Sequence, residues 1–543
     1  MGIQLTDEQI AIVNATGSVD QLKINAYAGS GKTTTLTAIA NAYPNRKFLT
    51  IAFNRSVKEE LKHRMPRNCE VSTVHGLAYR FTPNSLKKHL RENDRSLISD
   101  IIRLIDVSIT EAYFYKELFE SYCNSMHTEI NRDTVAHLVF SDKDVRNLYF
   151  VVKNRYMDGK DDDMTHIAER LKAIFNAMAD GKIDITHSFY MKYFQLYFDN
   201  KAIQEHLKQF DVIMVDEGQD LNPIQQFILQ NAPIRQKIIV GDRHQSIYSW
   251  RKAVNTLARL NWQQLNLTAS FRFKNLEVVD IANDFLHNWK KDMNSIVAKP
   301  TNKNVNTKAY ISRTNATLVK LIHDIDEKFR LVRDINAIFS EVFTADKIKS
   351  YFETEREEFL QGIPPYLKEL AKMVMEESPM ERRMVDMVKS LRQLNDLDLV
   401  MALQIAKAYN VHELYDKAKR LNSPDAEIVL TTAHTSKGLE FSHVILTEDF
   451  PTPIEAVASF IVSDMHSSQL LKLSLDDIQN VLDMLVQDDE RVSALIDEIN
   501  LMYVAVTRAI DSIEGHKKLA MWFGKPPNVE AIYYTAIALM QGD

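Results

Sequence analysis

Residues 26–33 read AYAGSGKT, and residues 215–220 read VDEGQD. The first segment follows QLKIN and leads into TTLTAIANAY, which has a helical pattern. That is the strand–loop–helix setting a phosphate-binding loop needs. The small residues Ala28, Gly29, Ser30 and Gly31 let backbone N–H groups turn toward phosphate oxygens, and the helix N-terminus adds partial positive charge. Lys32 can reach the β- and γ-phosphates, the Thr33 hydroxyl can bind magnesium, and Thr34 continues the first turn. A chance glycine-rich turn is the plain alternative for this segment alone, and Ala26 stands where a glycine is usual. The second segment argues against it. FDVIMV, residues 210–215, is an apolar run of the kind that forms a buried parallel strand. Asp216 and Glu217 fall at its C-terminal end, where α/β sheets place ligands. Asp216 would hold magnesium and Glu217 would activate the attacking water. The pair predicts a chain that binds ATP with Mg2+ and hydrolyses it.

At 543 residues the chain is too long for one core, so two to four domains are expected. Its 45% hydrophobic and 26% charged residues are those of an ordinary globular protein. No apolar run is long enough to span a bilayer, and no secretory signal is visible. MGIQLT formally fits a myristoylation pattern, but residues 4–9 have a better reading below. Cys69 and Cys123 suit a reducing compartment and form no metal-ligand cluster. A net charge of −7 argues against a uniformly basic coat, though not against a basic groove on an acidic body.

Strand-rich stretches alternating with helices are expected at about 22–75, 210–267 and 428–447, with a short one at 309–312. Residues 85–205 and 330–425 look helical. In the latter Leu367, Leu370, Ala371 and Val374 fall at helical spacing and read as core. A third, acidic helical insert is expected at about 456–497. The fold class is therefore α/β: two parallel-sheet ATPase cores, each with a mainly helical insertion.

IIVGDRHQSIYSWR, residues 238–251, starts as an apolar strand and ends in a Gly-Asp turn followed by polar and aromatic residues. Gln245 is placed to sense a γ-phosphate. Tyr248 and Trp250 can stack on unpaired bases, or be core aromatics. LTASFRF (267–273), TAHTSKGLEF (432–441) and LMYVAVTRA (501–509) follow. Arg272 and Arg508 stand singly among apolar or small residues; each reads as a surface ion pair or as an arginine finger.

As an ordered set these segments resemble the UvrD/Rep-type superfamily 1A DNA helicases. LTDEQ (5–9) resembles that family's adenine-reading Q motif; FLTIAFNRS (48–56) and STVHGLAYR (72–80) resemble its single-strand-contacting segments. The resemblance is strongest to the helicase core of the F-box-containing DNA helicases, through ITHSFYMKYFQL (185–196), GDRHQSIYSWRKAVNTL (241–257) and SFRF (270–273), without an F-box. It covers most of the chain, and least well 85–180 and 330–425. Two departures stand out: Gly218 where the family usually has Ala, and Lys252 where it usually has Gly.

The resemblance implies two RecA-like domains. Domain 1A would be 1–82 and 206–265, insertion 1B 83–205, domain 2A 266–330 and 426–543, and insertion 2B 331–425. It implies a catalytic set of Lys32, Asp216, Glu217, Gln245, Arg272 and Arg508, with magnesium held by Thr33 and Asp216. Gln9 would read the adenine edge, Phe271 would stack on its face, and Glu440 would hold the ribose. Phe53, Asn54, His75, Tyr248, Trp250, Arg251 and His434 would lie along the strand. The implied activity is a 3′-to-5′ single-stranded-DNA translocase and helicase acting on tailed duplexes in repair or recombination control. Alternatives are a motor that strips a recombinase filament or single-strand-binding protein from DNA, a helicase subunit of a mobile-element or anti-phage system, and a non-catalytic DNA-binding scaffold. The expected location is cytoplasmic or nucleoid-associated, nuclear in a eukaryote, with no membrane partner.

Overall fold

A computed structural model describes residues 4–91, 96–156, 164–249, 253–300, 306–393, 397–464, 473–514 and 523–541. The chain falls into two compact units. The first holds the described residues up to Asn25, Lys32–Arg243 and the stretch to Asn266; the second holds Ala26–Gly31, His244–Ser249 and the chain from Leu267.

The first unit is built on a six-stranded sheet. Its strands are β1 (Gln21–Ala26), β2 (Phe48–Ala52), β3 (Cys69–Thr73), β4 (Val212–Val215), β5 (Gln236–Gly241) and β6 (Gln263–Leu267), in the order β3-β2-β4-β5-β1-β6. β1, β2, β3, β4 and β5 pair parallel. β4 lies inside, with Val215 opposite Ile51 on one side and Ile239 on the other, and all four of its residues are buried. A strand covered on both faces needs a continuous apolar run, and VIMV supplies it. Helices between β3 and β4 include Ile109–Asn124, Met164–Ala179 and His187–Leu196. Phe114, Leu118, Phe119, Ile167, Leu171 and Phe189 from these helices join Leu49, Ile51 and Val215 of the sheet in one core.

The second unit carries a two-stranded ribbon of β7 (Ala269–Ser270) and β8 (Val297–Ala298). Its main sheet has β9 (Lys308–Ser312), β10 (Phe329–Leu331), β11 (Ile428–Thr432), β12 (Phe441–Leu446) and β13 (Ala509–Glu514), in the parallel order β10-β11-β9-β12-β13. Helices between Ile335 and Leu421 share one core with helix Asn315–Asp324, Phe329 of β10 and Leu430 of β11; in it Leu367, Ala371 and Val374 are buried and Leu370 packs alongside. β10 and β13 were not expected from the sequence, and β10 runs into the stretch read as helix from 330. The acidic insert does not stop near 497: helix Ser493–Val506 continues through most of LMYVAVTRA. Among the described residues no helix is long and apolar enough to cross a membrane.

Candidate functional site

β1 runs into the glycine-rich loop, and helix Lys32–Ala42 leaves it. Gly29 (φ 75°) and Gly31 (φ 81°) are left-handed, which glycine adopts without strain. Gly29 is needed for space as well. A Cβ there would lie 2.5 Å from Ser270 Oγ and 2.6 Å from Arg272 Cβ. Ser270 Oγ donates to Ala28 O (2.7 Å), and the Phe271 N–H donates to Gly29 O (3.0 Å). The SFRF segment is thus stitched to the glycine-rich loop inside the second unit. Ser30 is buried, and Thr33 and Thr34 are half-buried in the first helical turn.

In the first unit the acidic pair follows β4. Asp216 is buried, and its Oδ1 accepts the Glu217 N–H at 2.9 Å. Glu217 is left-handed (φ 52°), an uncommon state for a residue with a Cβ and one that gathers at functional sites. Its carboxylate is held from both sides: Oε1 takes Lys32 Nζ at 2.6 Å, and Oε2 takes Gln219 Nε2 at 2.6 Å. Burial works against charge on Lys32, but Glu217, Asp216 and Asp242 outweigh it, and the pKa rises. Burial and then Glu217 push the Asp216 pKa up against the pull of Lys32. The lysine therefore stays cationic, paired with Glu217.

Gly218 has a steric reason. A Cβ there would collide with the Ile239 side chain of β5. Gly218→Ala is expected to cost about 1–3 kcal/mol, as overpacked core sites do. A lower melting temperature would register it. Combination with Ile239→Ala should cost less than the sum of the two single changes.

Gln9 is buried with its amide engaged. Oε1 accepts the Thr6 N–H (3.0 Å), Nε2 donates to Thr35 Oγ1 (3.1 Å), and Thr6 Oγ1 accepts the Gln9 N–H. Thr6 and Gln9 are the capping box of helix Asp7–Ala15, a pattern legible in T-x-x-Q.

Two arginines lie together in the second unit. Arg508 is buried and donates to Val504 O (2.9 Å), Leu439 O (3.2 Å), Thr507 Oγ1 (3.1 Å) and Gln245 Oε1 (3.2 Å). It is not a surface arginine. Arg272 donates to Thr507 O (2.6 Å) and pairs with Glu440 at 3.3 Å, an ion pair mostly withdrawn from water. Lys437 Nζ donates to Gln245 O (2.6 Å), Asn500 to Ser246 O (2.9 Å), and the Ser249 N–H to Asp497 (2.7 Å). Gln245 is thus fixed beside Arg508. Tyr248 is half-buried, its hydroxyl donating to His434 O at 3.4 Å. Phe53 is half-buried, His75 is exposed, and exposed Asn54 caps helix Arg55–Arg64. Trp250, Arg251 and Lys252 lie outside the described residues.

Sequence reasoning missed two features. Gln219, which orients Glu217, was visible only as part of the motif. The other is a buried triad in the second unit: Tyr27 OH (2.6 Å) and His244 Nε2 (2.8 Å) both meet Asp292 Oδ2, while Asn294 holds Oδ1. Despite partial burial, the His244 and Tyr27 hydrogen bonds bring the Asp292 pKa well below the usual carboxylate range. Tyr27 belongs to the glycine-rich loop and His244 precedes Gln245, so Asp292 ties both to one anchor. Asp292→Asn is expected to lower the melting temperature, at about 1.5–3 kcal/mol per charge-assisted hydrogen bond lost. Tyr27→Phe should lose less, and the double variant should lose less than the sum.

Residues 5–264 match the family model of the UvrD/REP helicase N-terminal domain. The chain is 27% identical to F-box DNA helicase protein 1 of Schizosaccharomyces pombe over 548 residues, 93% of this chain and 56% of that protein. It is 27% identical to F-box DNA helicase 1 of Gallus gallus over 545 residues, 93% of this chain and 48% of that protein. It is 28% identical to the ATP-dependent DNA helicase PcrA of Leuconostoc citreum over 257 residues, 43% of this chain and 32% of that protein. The chain thus spans about half the length of the two F-box helicases. Residues 5–264, with the acidic pair at the end of β4 in a parallel-sheet core, are thus similar to the UvrD/REP helicase N-terminal domain.

Proposed function

We propose that this chain is an ATP-dependent DNA helicase that moves 3′ to 5′ along a single strand. The observation that carries the reading is Lys32 paired with Glu217, its pKa raised by Glu217 and Asp216, directly after a loop with left-handed Gly29 and Gly31. Lys32 binds and neutralises the transferring phosphoryl group. Glu217, held by Gln219, takes the proton of the attacking water. Arg272 and Arg508 stabilise the charge that develops, and Gln245 senses the γ-phosphate. Magnesium commonly takes one or two carboxylates and completes its shell with phosphate oxygens and water. A buried Asp216 and the Thr33 hydroxyl fit that donor set, and the ion would supply electrostatic stabilisation of the phosphates when bound. The two 27% identical relatives carry the name DNA helicase, which supports DNA as the track.

Strand displacement tests this. A 3′-tailed duplex should be unwound with ATP and a 5′-tailed one should not; the reverse preference, or none, contradicts the proposed polarity. Separating a base-pair step costs about 1.4 kcal/mol on average, a small load for one ATP. Coating the tail with a recombinase or a single-strand-binding protein asks whether the same motor clears proteins.

A further inference from the structure

Asp292 of the second unit lies in a segment that departs from regular structure twice. Helix Leu276–Asp284 runs into a π-helical turn over Phe285–Trp289, and Lys291 is left-handed at φ 51°. Both features are uncommon, and both gather where a backbone is held for function. The segment is pinned before and after Asp292. Buried Lys290 pairs with buried Asp488 at 3.2 Å, and the Asp292 N–H donates to Leu286 O at 2.9 Å. Asn294 donates to Asp292 Oδ1 through its backbone N–H (3.0 Å) and its amide (2.9 Å), while Oδ2 takes Tyr27 and His244. Tyr27 and His244 are fully buried. Their rings stack 6.2 Å apart, and His244 meets Tyr503 edge-on at 6.2 Å. Each of the two continues into a part of the nucleotide site. Tyr27 precedes Ala28 and Gly29, whose carbonyls hold Ser270 and Phe271. His244 precedes Gln245, whose side chain meets Arg508 and whose carbonyl meets Lys437.

We infer that Asp292 is a positioning residue for ATP hydrolysis, one carboxylate oxygen of which fixes the glycine-rich loop and the Gln245 loop in a single register. The inference rests on the ATP-hydrolysis reading above and adds a residue that acts only through Tyr27 and His244. An ionised carboxylate only accepts, so His244 carries a proton on Nε2 and the Tyr27 hydroxyl donates. Both donors are buried, so neither can turn to water in place of Asp292, and each has one satisfied orientation. A displacement of about 1 Å in a positioned group costs about a hundredfold in rate. Gln245 and Arg508 act on charge that develops as the phosphoryl group transfers. Lys32, Thr33 and the loop N–H groups bind the phosphates already in the ground state. Losing the register should therefore lower kcat and kcat/KM together and leave KM for ATP nearly unchanged.

ATP hydrolysis by the full chain with Mg2+ and saturating oligothymidine, per nucleotide-binding site and well below each variant's melting temperature, tests the inference. Asp292→Asn keeps the shape, but its one oxygen can serve Asn294 or the two buried donors, not all of them. It is expected to lower kcat about ten- to hundredfold with KM for ATP within about threefold of the parent. His244→Leu should lose as much. His244→Gln, whose amide can donate from the place of Nε2, should regain most of it. Tyr27→Phe added to Asp292→Asn should slow the reaction no further, because the shared oxygen is already lost. Parental kcat in folded Asp292→Asn overturns the inference and leaves the ATPase reading standing. So does a raised KM at parental kcat, or a double variant in which the two losses multiply. If Asp292→Asn does not fold, equal rates in His244→Leu and His244→Gln overturn the inference. A parent chain that hydrolyses no ATP overturns both readings.

Discussion

Glu217→Gln is expected to bind ATP and to hydrolyse it about a hundred- to ten-thousand-fold more slowly, the range for removing a positioned general base. The change keeps size and shape. With its oxygen kept toward Lys32, the new amide turns its NH2 to Gln219, and an amide flip of Gln219 lets its oxygen accept it. The backbone of residue 217 is the point of risk, since it is left-handed and held by the Asp216 carboxylate. Glutamine tolerates that conformation no worse than glutamate. Nucleotide binding and single-turnover hydrolysis measured on the same preparation separate the steps. Lost binding with hydrolysis reduced only in proportion would make Glu217 a structural residue.

Lys32→Ala should lower turnover at least about a hundred- to thousandfold, the scale for deleting one electrostatic partner of the reacting group. The fold should survive. Lys32 is half-buried, and the helix it begins is anchored by buried Leu36, Ile39 and Ala40. The variant leaves Glu217 and Asp216 facing each other without the cation that offsets them. Adding Glu217→Gln removes one of the two carboxylates, so any melting temperature lost in Lys32→Ala should be partly regained. ATPase rate and circular dichroism are the readouts. Near-normal turnover in a folded Lys32→Ala chain would remove the phosphate-loop assignment.

Much of the site was readable locally. Apolar residues 210–215 announced β4 and put Asp216 at its end, and AYAGSGKT announced the loop between β1 and a helix. Burial on both faces leaves a parallel strand no polar positions, and a phosphate loop needs small residues, so both write themselves into short segments. β10 has only three residues and β13 carries Asp511, Ser512 and Glu514, so their neighbours, not their own composition, make them strands. Asp292 was invisible because its partners Tyr27 and His244 are 265 and 48 residues away and the segment around it has no pattern. Arg508 reads alike as a surface or a buried side chain; only its ring of carbonyl, hydroxyl and amide acceptors settles which. Gly218 looked like a departure from the family, and the Ile239 side chain in β5 accounts for it.

The central claim is that nucleotide chemistry here serves movement on a single strand. The most direct measurement is the ATP hydrolysis rate of the purified chain against increasing oligothymidine, at fixed Mg2+ and ATP. Binding of the strand should weaken as salt rises, because phosphate contacts release counterions. The account predicts a low rate without DNA that climbs steeply and saturates, with a midpoint that moves to higher oligonucleotide as salt is added. A rate that saturating oligonucleotide leaves unchanged, in a preparation that hydrolyses ATP, would contradict it.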